Sequence, residues 1–306
     1  MVKGSPRSYS PSDLAWEGVA RPIRCQLAVT TKRPPLPDFK DPPLVEVVLG
    51  IQFDPLLGLD VLQMGRLWSV FRDEYPKHEL QPMLAAQFET FERPGVEELM
   101  FPLGMDSLPA RCWFLSSDET ALVQVQADRF ILNWRQKVGK GTYPRYESMR
   151  RLLEEALVKF RAFLQTESLG DIAPNQCEVT YVNHLDQGKG WTKPSEVAAV
   201  FPGFSGQWSS EFLPEPEDVR AALRFVIPGP GQEPPMGRLH AQIEPRYRRD
   251  DYAPLLALTL TARTRPLGKD LAGALSSLDV GREWIVRAFA ALTSTPMHKV
   301  WERSDV

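Results

Sequence analysis

The sequence predicts an α+β protein built from two related β-α-β-β-β-α units with mainly antiparallel sheets, preceded by an irregular N-terminal arm. Three observations carry this. Several short runs are compact or alternating in apolar residues, as strands are. Two long stretches bear an apolar stripe at helical spacing. The order then begins again at an offset of 132 residues, which places Glu178 on Glu46 and Leu278 on Tyr146. A chain of 306 residues with 43% apolar and 25% charged content has enough material for one large core or two smaller ones.

Residues 1–43 are rich in Pro, Ser and Arg and end in "KRPPLPDFKDPP", where proline removes donors and disfavours helix before it. They read as an arm or linker. The first unit spans 44–170. It opens with "LVEVVLGIQF", a buried strand by its β-branched content, after which Asp60 caps the helical stretch "VLQMGRLWSVFRDEY". Strands follow at "MLAAQFETFE", "ARCWFLSS" and "ALVQVQ", and the last turns at "ADR" into "FILNW", with Phe130, Leu132 and Trp134 on one face. A helix over 143–166 carries the stripe Tyr146, Met149, Leu153, Leu157, Phe160 and Leu164, and Gly170 and Pro174 end it.

The second unit spans 175–302. It has a first strand in "CEVTYVNHLDQG", a short helix at 194–200 and strands in "DVRAALRFVI", "RLHAQIEP" and "LLALTLTART". A loop, "IPGPGQEPPMG", interrupts them, and a helix over 279–292 precedes "MHKVWER", whose Trp301 seals the core.

The net charge of −3 and pI near 5.9 exclude a protein that coats nucleic acid or anionic lipid by bulk charge. Residues 1–40 nevertheless carry +4 over a body of −7. Cys25, Cys112 and Cys177 lack the spacing of a zinc ribbon or a disulfide framework. No apolar leader or membrane-length run is present, so the expected location is the cytoplasm.

Three stretches, "PPLVEVVLGIQFDP", "QADRFILNWRQ" and "FAALTSTPMHKVWER", resemble an uncharacterised, sporadically distributed bacterial protein family of about this length. The likeness covers residues 42–302 and rests on the patterns PPxVExxxxIxF and QxDRFxxNWR. It implies no reaction, cofactor or catalytic residue. Its patchy distribution is typical of mobile or defence-linked genes, which implies a context rather than a chemistry.

The residues themselves point to binding. In "CEVTYVNHLDQG" strand alternation puts Tyr181 and Asn183 on one face. There a buried amide either braces a neighbouring strand or meets a ligand's polar group. Trp191 and Trp208, in polar loop sequence, are candidate exposed aromatics, and Trp134 with Arg135 is a further candidate. The preferred reading is a non-enzymatic binding protein, without a cofactor, for another protein or a small polar ligand. Here the segment 188–208 and the strand before it line the recognition surface.

Two alternatives stand beside it. His184, Asp186, His240 and Glu244 would suit a metal-dependent enzyme if their strands were adjacent. Arg246, Tyr247, Arg248 and Arg249, with Trp134, Tyr143 and Tyr146, offer phosphate contacts and stacking faces to nucleic acid, although Asp250 and Asp251 follow at once. No nucleophile elbow, phosphate loop or dinucleotide fingerprint occurs.

Overall fold

Val48 and Thr180 face each other at the centre of a nine-stranded sheet in the computed structural model, which describes residues 34–91, 110–137, 142–205, 211–231, 233–248 and 250–305. They belong to β1 (Leu44–Phe53) and β6 (Pro174–Asp186), which run antiparallel. Beyond β1 lie β5 (Arg129–Arg135), β4 (Ala121–Gln126), β3 (Ala110–Leu115) and β2 (Lys77–Pro82). Beyond β6 lie β9 (Pro254–Thr264), β8 (Gly237–Tyr247) and β7 (Ala221–Ile227). The order is β2-β3-β4-β5-β1-β6-β9-β8-β7 and each neighbouring pair is antiparallel. These strands all lie in the compact unit Leu36–Val306.

Alternation decides the two faces. Val47, Leu49, Ile51 and Phe53 of β1, and Cys177, Val179, Tyr181 and Leu185 of β6, point to one side and are buried. On that side α1 (Val61–Phe71) lies against β3, α2 (Tyr146–Thr166) against β1 and β5, and α4 (Leu271–Leu292) against β6, β8 and β9. Their apolar stripes close the core: Phe160 of α2 stacks on Phe130 at 5.1 Å, and Phe71 of α1 meets Phe114 at 5.9 Å. Each fully buried side chain of this size contributes roughly 1.5–3 kcal/mol.

Asp60 caps α1 as its sequence predicts, accepting from the Gln63 amide at 2.9 Å. The helix predicted over 279–292 starts earlier, at Leu271, because Asp270 caps it through the Gly273 amide at 2.8 Å. The strand predicted at "MLAAQFETFE" is not one. The strand here is β2, which ends at Pro82 immediately before this stretch and whose His78 pairs with Phe114. Residues 83–91 instead run as an extended strap over the helix-free face. There Leu84 exchanges bonds with Gln126, and Arg129 donates to Ala85 O at 3.0 Å. Sheet side chains thus supply the partners its backbone needs.

The chain end closes the other flank. After α4, Ser294 caps the short α5 (Thr295–Val300). Trp301 is buried between Phe289 and Phe39, at 5.0 and 6.3 Å. Phe39 bridges to Arg303, and Ser304 donates its amide to Asp38 O at 2.9 Å. Residues 36–43, read from the sequence as part of the arm, are therefore a second strap laid along the C-terminal segment. Among the described residues no helix is long and apolar enough to cross a membrane.

Candidate functional site

The last third of β6 opens into a cavity of about 400 Å³ on the helical side of the sheet. A bulge creates it. Asn183 pairs with Leu44 and Val182 with Glu46, so β1 carries one extra residue at this point. Such a bulge re-aims side chains, and here it turns Leu44 inward beside Asn183.

Three further elements complete the wall. Arg282, Ile285, Val286 and Phe289 of α4 recur at one-turn spacing along the cavity. Tyr143, Arg145, Tyr146 and Glu147 approach from the start of α2, and the strap from Leu36 to Pro42 crosses the mouth. Helix α4 can come this close because of Gly281: a Cβ there would sit 3.1 Å from Val179 Cγ2.

The polar groups are distributed unevenly. Tyr143 and Tyr181 share a hydrogen bond, oxygen to oxygen 3.0 Å, and burial pushes both phenols up from their ordinary value. Tyr146 donates to Asp279 at 2.7 Å and is also pushed up by burial. Asn183, 3% exposed, donates to Leu258 O at 3.1 Å. Arg282 stacks on the Tyr146 ring at 5.2 Å, and its Nη2 lies 3.4 Å from Glu147. Its Nε is buried and has no hydrogen-bond partner. Arg145 is held to Asp38 at 3.2 Å and to Phe39 O at 3.1 Å.

No family model, curated protein or solved structure matches the chain.

The sequence candidates fare unequally. Tyr181 and Asn183 meet in the cavity. Trp134 is buried behind them with its ring 5.3 Å from Tyr143, whereas Arg135 points to the opposite face and lies over Trp113 at 5.4 Å. Trp191 is not an exposed aromatic: it is 4% exposed and its indole donates to Leu185 O at 3.2 Å, inside the turn that follows β6. Around it Val197, Val200 and Phe201 are buried, so this part of 188–208 is core rather than surface. Trp208 lies outside the described residues.

The proposed metal ligands do not converge, because β9 separates their strands. Ala257 of β9 stands between His184 and Glu244. His240 is bound to Glu89 at 2.6 Å, Glu244 is paired with Arg246, and Asp186 lies 3.3 Å from Lys189. Among the described residues no three His, Cys, Asp or Glu side chains are grouped to hold a metal ion. Of the basic cluster, Arg246 is taken by Glu244, and Arg248 lies within 3.6 Å of Asp186 and 3.1 Å of Asp251. Tyr247 is exposed, and Arg249 lies outside the described residues.

On the helix-free face Trp113 and Arg111 donate to Gln124, Gln124 to Asn133, and Asn133 to Glu46, across four strands. This network is internally satisfied, as a buried polar chain must be. Cys112 and Cys177 are buried free thiols, and burial pushes Cys177 up to about 12. That is the state of an inert core cysteine. The residues sequence reasoning missed are Arg282 and Arg145; the one local signal was a glycine, Gly281, inside an otherwise apolar helical stripe beside an arginine.

Proposed function

We propose that this chain is a non-enzymatic binding protein whose cavity at the end of β6 takes the polar group of a small ligand. The observation that carries the reading is the convergence of Tyr181 and Asn183 with Tyr143 and Arg282 in one cavity whose walls are about half apolar. A few oriented polar groups in apolar walls are the usual composition of a ligand site. Binding is favoured over catalysis because the described lining residues include no histidine, cysteine or serine, and the acids Asp38 and Glu147 are each beside an arginine. A cytoplasmic setting fits the reduced, buried Cys112 and Cys177.

Native mass spectrometry of the full chain, gently purified, tests this. A small molecule carried by the wild type and lost on Val286→Trp, which fills the cavity, supports the reading. A molecule retained equally by both would put binding elsewhere.

We further read the architecture as an internal duplication. The 132-residue offset carries Val48 onto its own partner Thr180, as a two-fold relation between β1 and β6 requires. It also carries Glu46, opposite Arg135, onto Glu178, opposite Arg263. The cavity then draws on both units, with Leu44 and residues 143–147 from the first and Tyr181, Asn183 and the α4 residues from the second.

A further inference from the structure

We infer that the ligand is a small monocarboxylate with an apolar body, held by its carboxylate on Arg282; this rests on the cavity being a binding site at all. The argument begins with hydrogen-bond supply. The Nε and Nη2 of a guanidinium lie on one edge and present the fork that a carboxylate accepts in parallel. In Arg282 this edge is under-used: Nε has no partner, Nη2 has Glu147 only at 3.4 Å, and the guanidinium's other neighbour is the Tyr181 hydroxyl. Charge-assisted N–H···O bonds are normally about 2.7–2.9 Å. A buried donor left unpaired costs roughly 1–3 kcal/mol, so an acceptor brought to that edge recovers free energy already forfeited in the empty protein.

The tyrosine pair adds a donor. Tyr143 and Tyr181 hold two hydroxyl hydrogens between them, and their mutual bond consumes one. The other is free for a ligand oxygen.

Charge sets the class. The side chain of Arg282 is only 23% exposed, whereas that of Glu147 is 72% exposed and that of Asp38, paired to Arg145, is 58% exposed. The cation is thus inside and both acids are at the mouth, in water, where their fields are screened. One interior cation matches one negative charge. A phosphate dianion would face Glu147 and Asp38 with no second unpaired cation among the described lining residues, since Arg145 is held by Asp38, which disfavours it. Leu44, Leu260, Ile285, Val286 and Phe289 surround the remaining volume with hydrocarbon and aromatic surface, the counterpart of an aromatic or branched aliphatic body.

The test uses two isosteric probes, 4-fluorobenzoate and 4-fluorobenzamide, titrated into the full chain and followed by fluorine NMR. The acid is expected to bind at least tenfold more tightly than the amide, the ratio for about 1.4 kcal/mol of charge-assisted bonding. In Arg282→Gln the preference collapses to within about twofold, while Glu147→Gln raises the acid-over-amide preference severalfold, since it removes a carboxylate that both repels the acid at the mouth and competes for Arg282 Nη2. Circular dichroism checks that each variant is folded. Equal affinity of acid and amide, or failure of both to bind the wild type, overturns the inference. Equal affinity lost on Val286→Trp would do so while leaving the binding site itself standing. Because Glu147→Gln keeps Arg282 intact, it decides the matter even if Arg282→Gln does not fold.

Discussion

Tyr143 and Tyr181 hold their hydroxyl oxygens 3.0 Å apart at the inner end of the cavity, one from the approach to α2 and the other from the central strand β6. The contact ties the helical layer to the sheet. Tyr181→Phe leaves the Tyr143 hydroxyl without this partner in a desolvated place, and should lower stability by about 1–3 kcal/mol. Urea denaturation measures it; a change under about 0.5 kcal/mol would mean that water replaces the bond.

The buried phenols make the fold sensitive to alkali. Burial raises Tyr143, Tyr146 and Tyr181, and raises Tyr75 to about 12. A phenol raised in the folded state keeps its proton where the unfolded chain has lost it. Its contribution is therefore full below the unfolded value near 10 and declines as pH rises from there toward the folded values. Stability should be flat in this respect up to about pH 10 and fall steeply beyond it. Melting temperature measured from pH 8 to 11.5, with absorbance at the phenolate band, checks this; phenolate appearing in the folded protein before any loss of stability would refute it.

Asn183 is both brace and wall. Its amide donates to Leu258 O across the β6–β9 pair at 3.1 Å, so of the two roles the sequence offers a buried amide here, bracing a neighbouring strand is met in the structure. Asn183→Ala should cost about 1–3 kcal/mol and also weaken 4-fluorobenzoate. Asn183→Asp separates the two roles, because a carboxylate cannot donate to Leu258 and also repels an acid in the cavity. Ligand affinity unchanged in both variants would assign the residue to bracing alone.

The strap over the helix-free face hangs on Glu89. Its side chain is 10% exposed, and Arg238 and His240 reach its two oxygens at 2.5 and 2.6 Å. Burial works to raise this carboxyl, but the bonds and charges of His240 and Arg238 outweigh it and hold it below its usual value. A carboxyl lowered in the folded state stabilises above its unfolded value, about 4.3, and that contribution is lost as pH falls. Glu89→Gln should loosen the strap at neutral pH. Protection of the Leu84 amide, bonded to Gln126 at 2.9 Å, should drop roughly tenfold in hydrogen exchange, the factor for ~1.4 kcal/mol. Unchanged protection would mean that Arg129 and Gln126 hold the strap without Glu89.

What was legible in the sequence was what depends on near neighbours. Asp60 ahead of an apolar stripe, and the period of two in "EVTYVNHL", report local geometry, so the cap of α1 and the shared face of Tyr181 and Asn183 could be read directly. The metal reading failed because strand order is a long-range fact: nothing in "LLALTLTART" says that it pairs between "EVTYVNHL" and "RLHAQIEP". Trp191 misled because Lys189, Thr192 and Lys193 suggest a solvated loop, whereas the turn folds its indole back under Leu185. Arg282 was invisible because its role exists only once α4 lies on β6.

That approach depends on Gly281. Its Cα side faces β6, and a Cβ would stand 3.1 Å from Val179 Cγ2 and 3.5 Å from Ala262 Cβ. Gly281→Ala sets a helix-propensity gain of about 1 kcal/mol against a contact that a few tenths of an ångström relieves, so stability should be nearly unchanged. Gly281→Leu cannot be relieved that way. Overpacking of this kind costs about 1–3 kcal/mol, and by lifting α4 it would draw Arg282 away from Tyr181 and the cavity. Urea denaturation and 4-fluorobenzoate titration of the two variants separate the effects: Ala should keep both stability and acid preference, and Leu should lose both. A leucine variant that retained the acid preference would show that Arg282 is placed by the cavity mouth, through Glu147 and Tyr146, rather than by the helix-to-sheet distance.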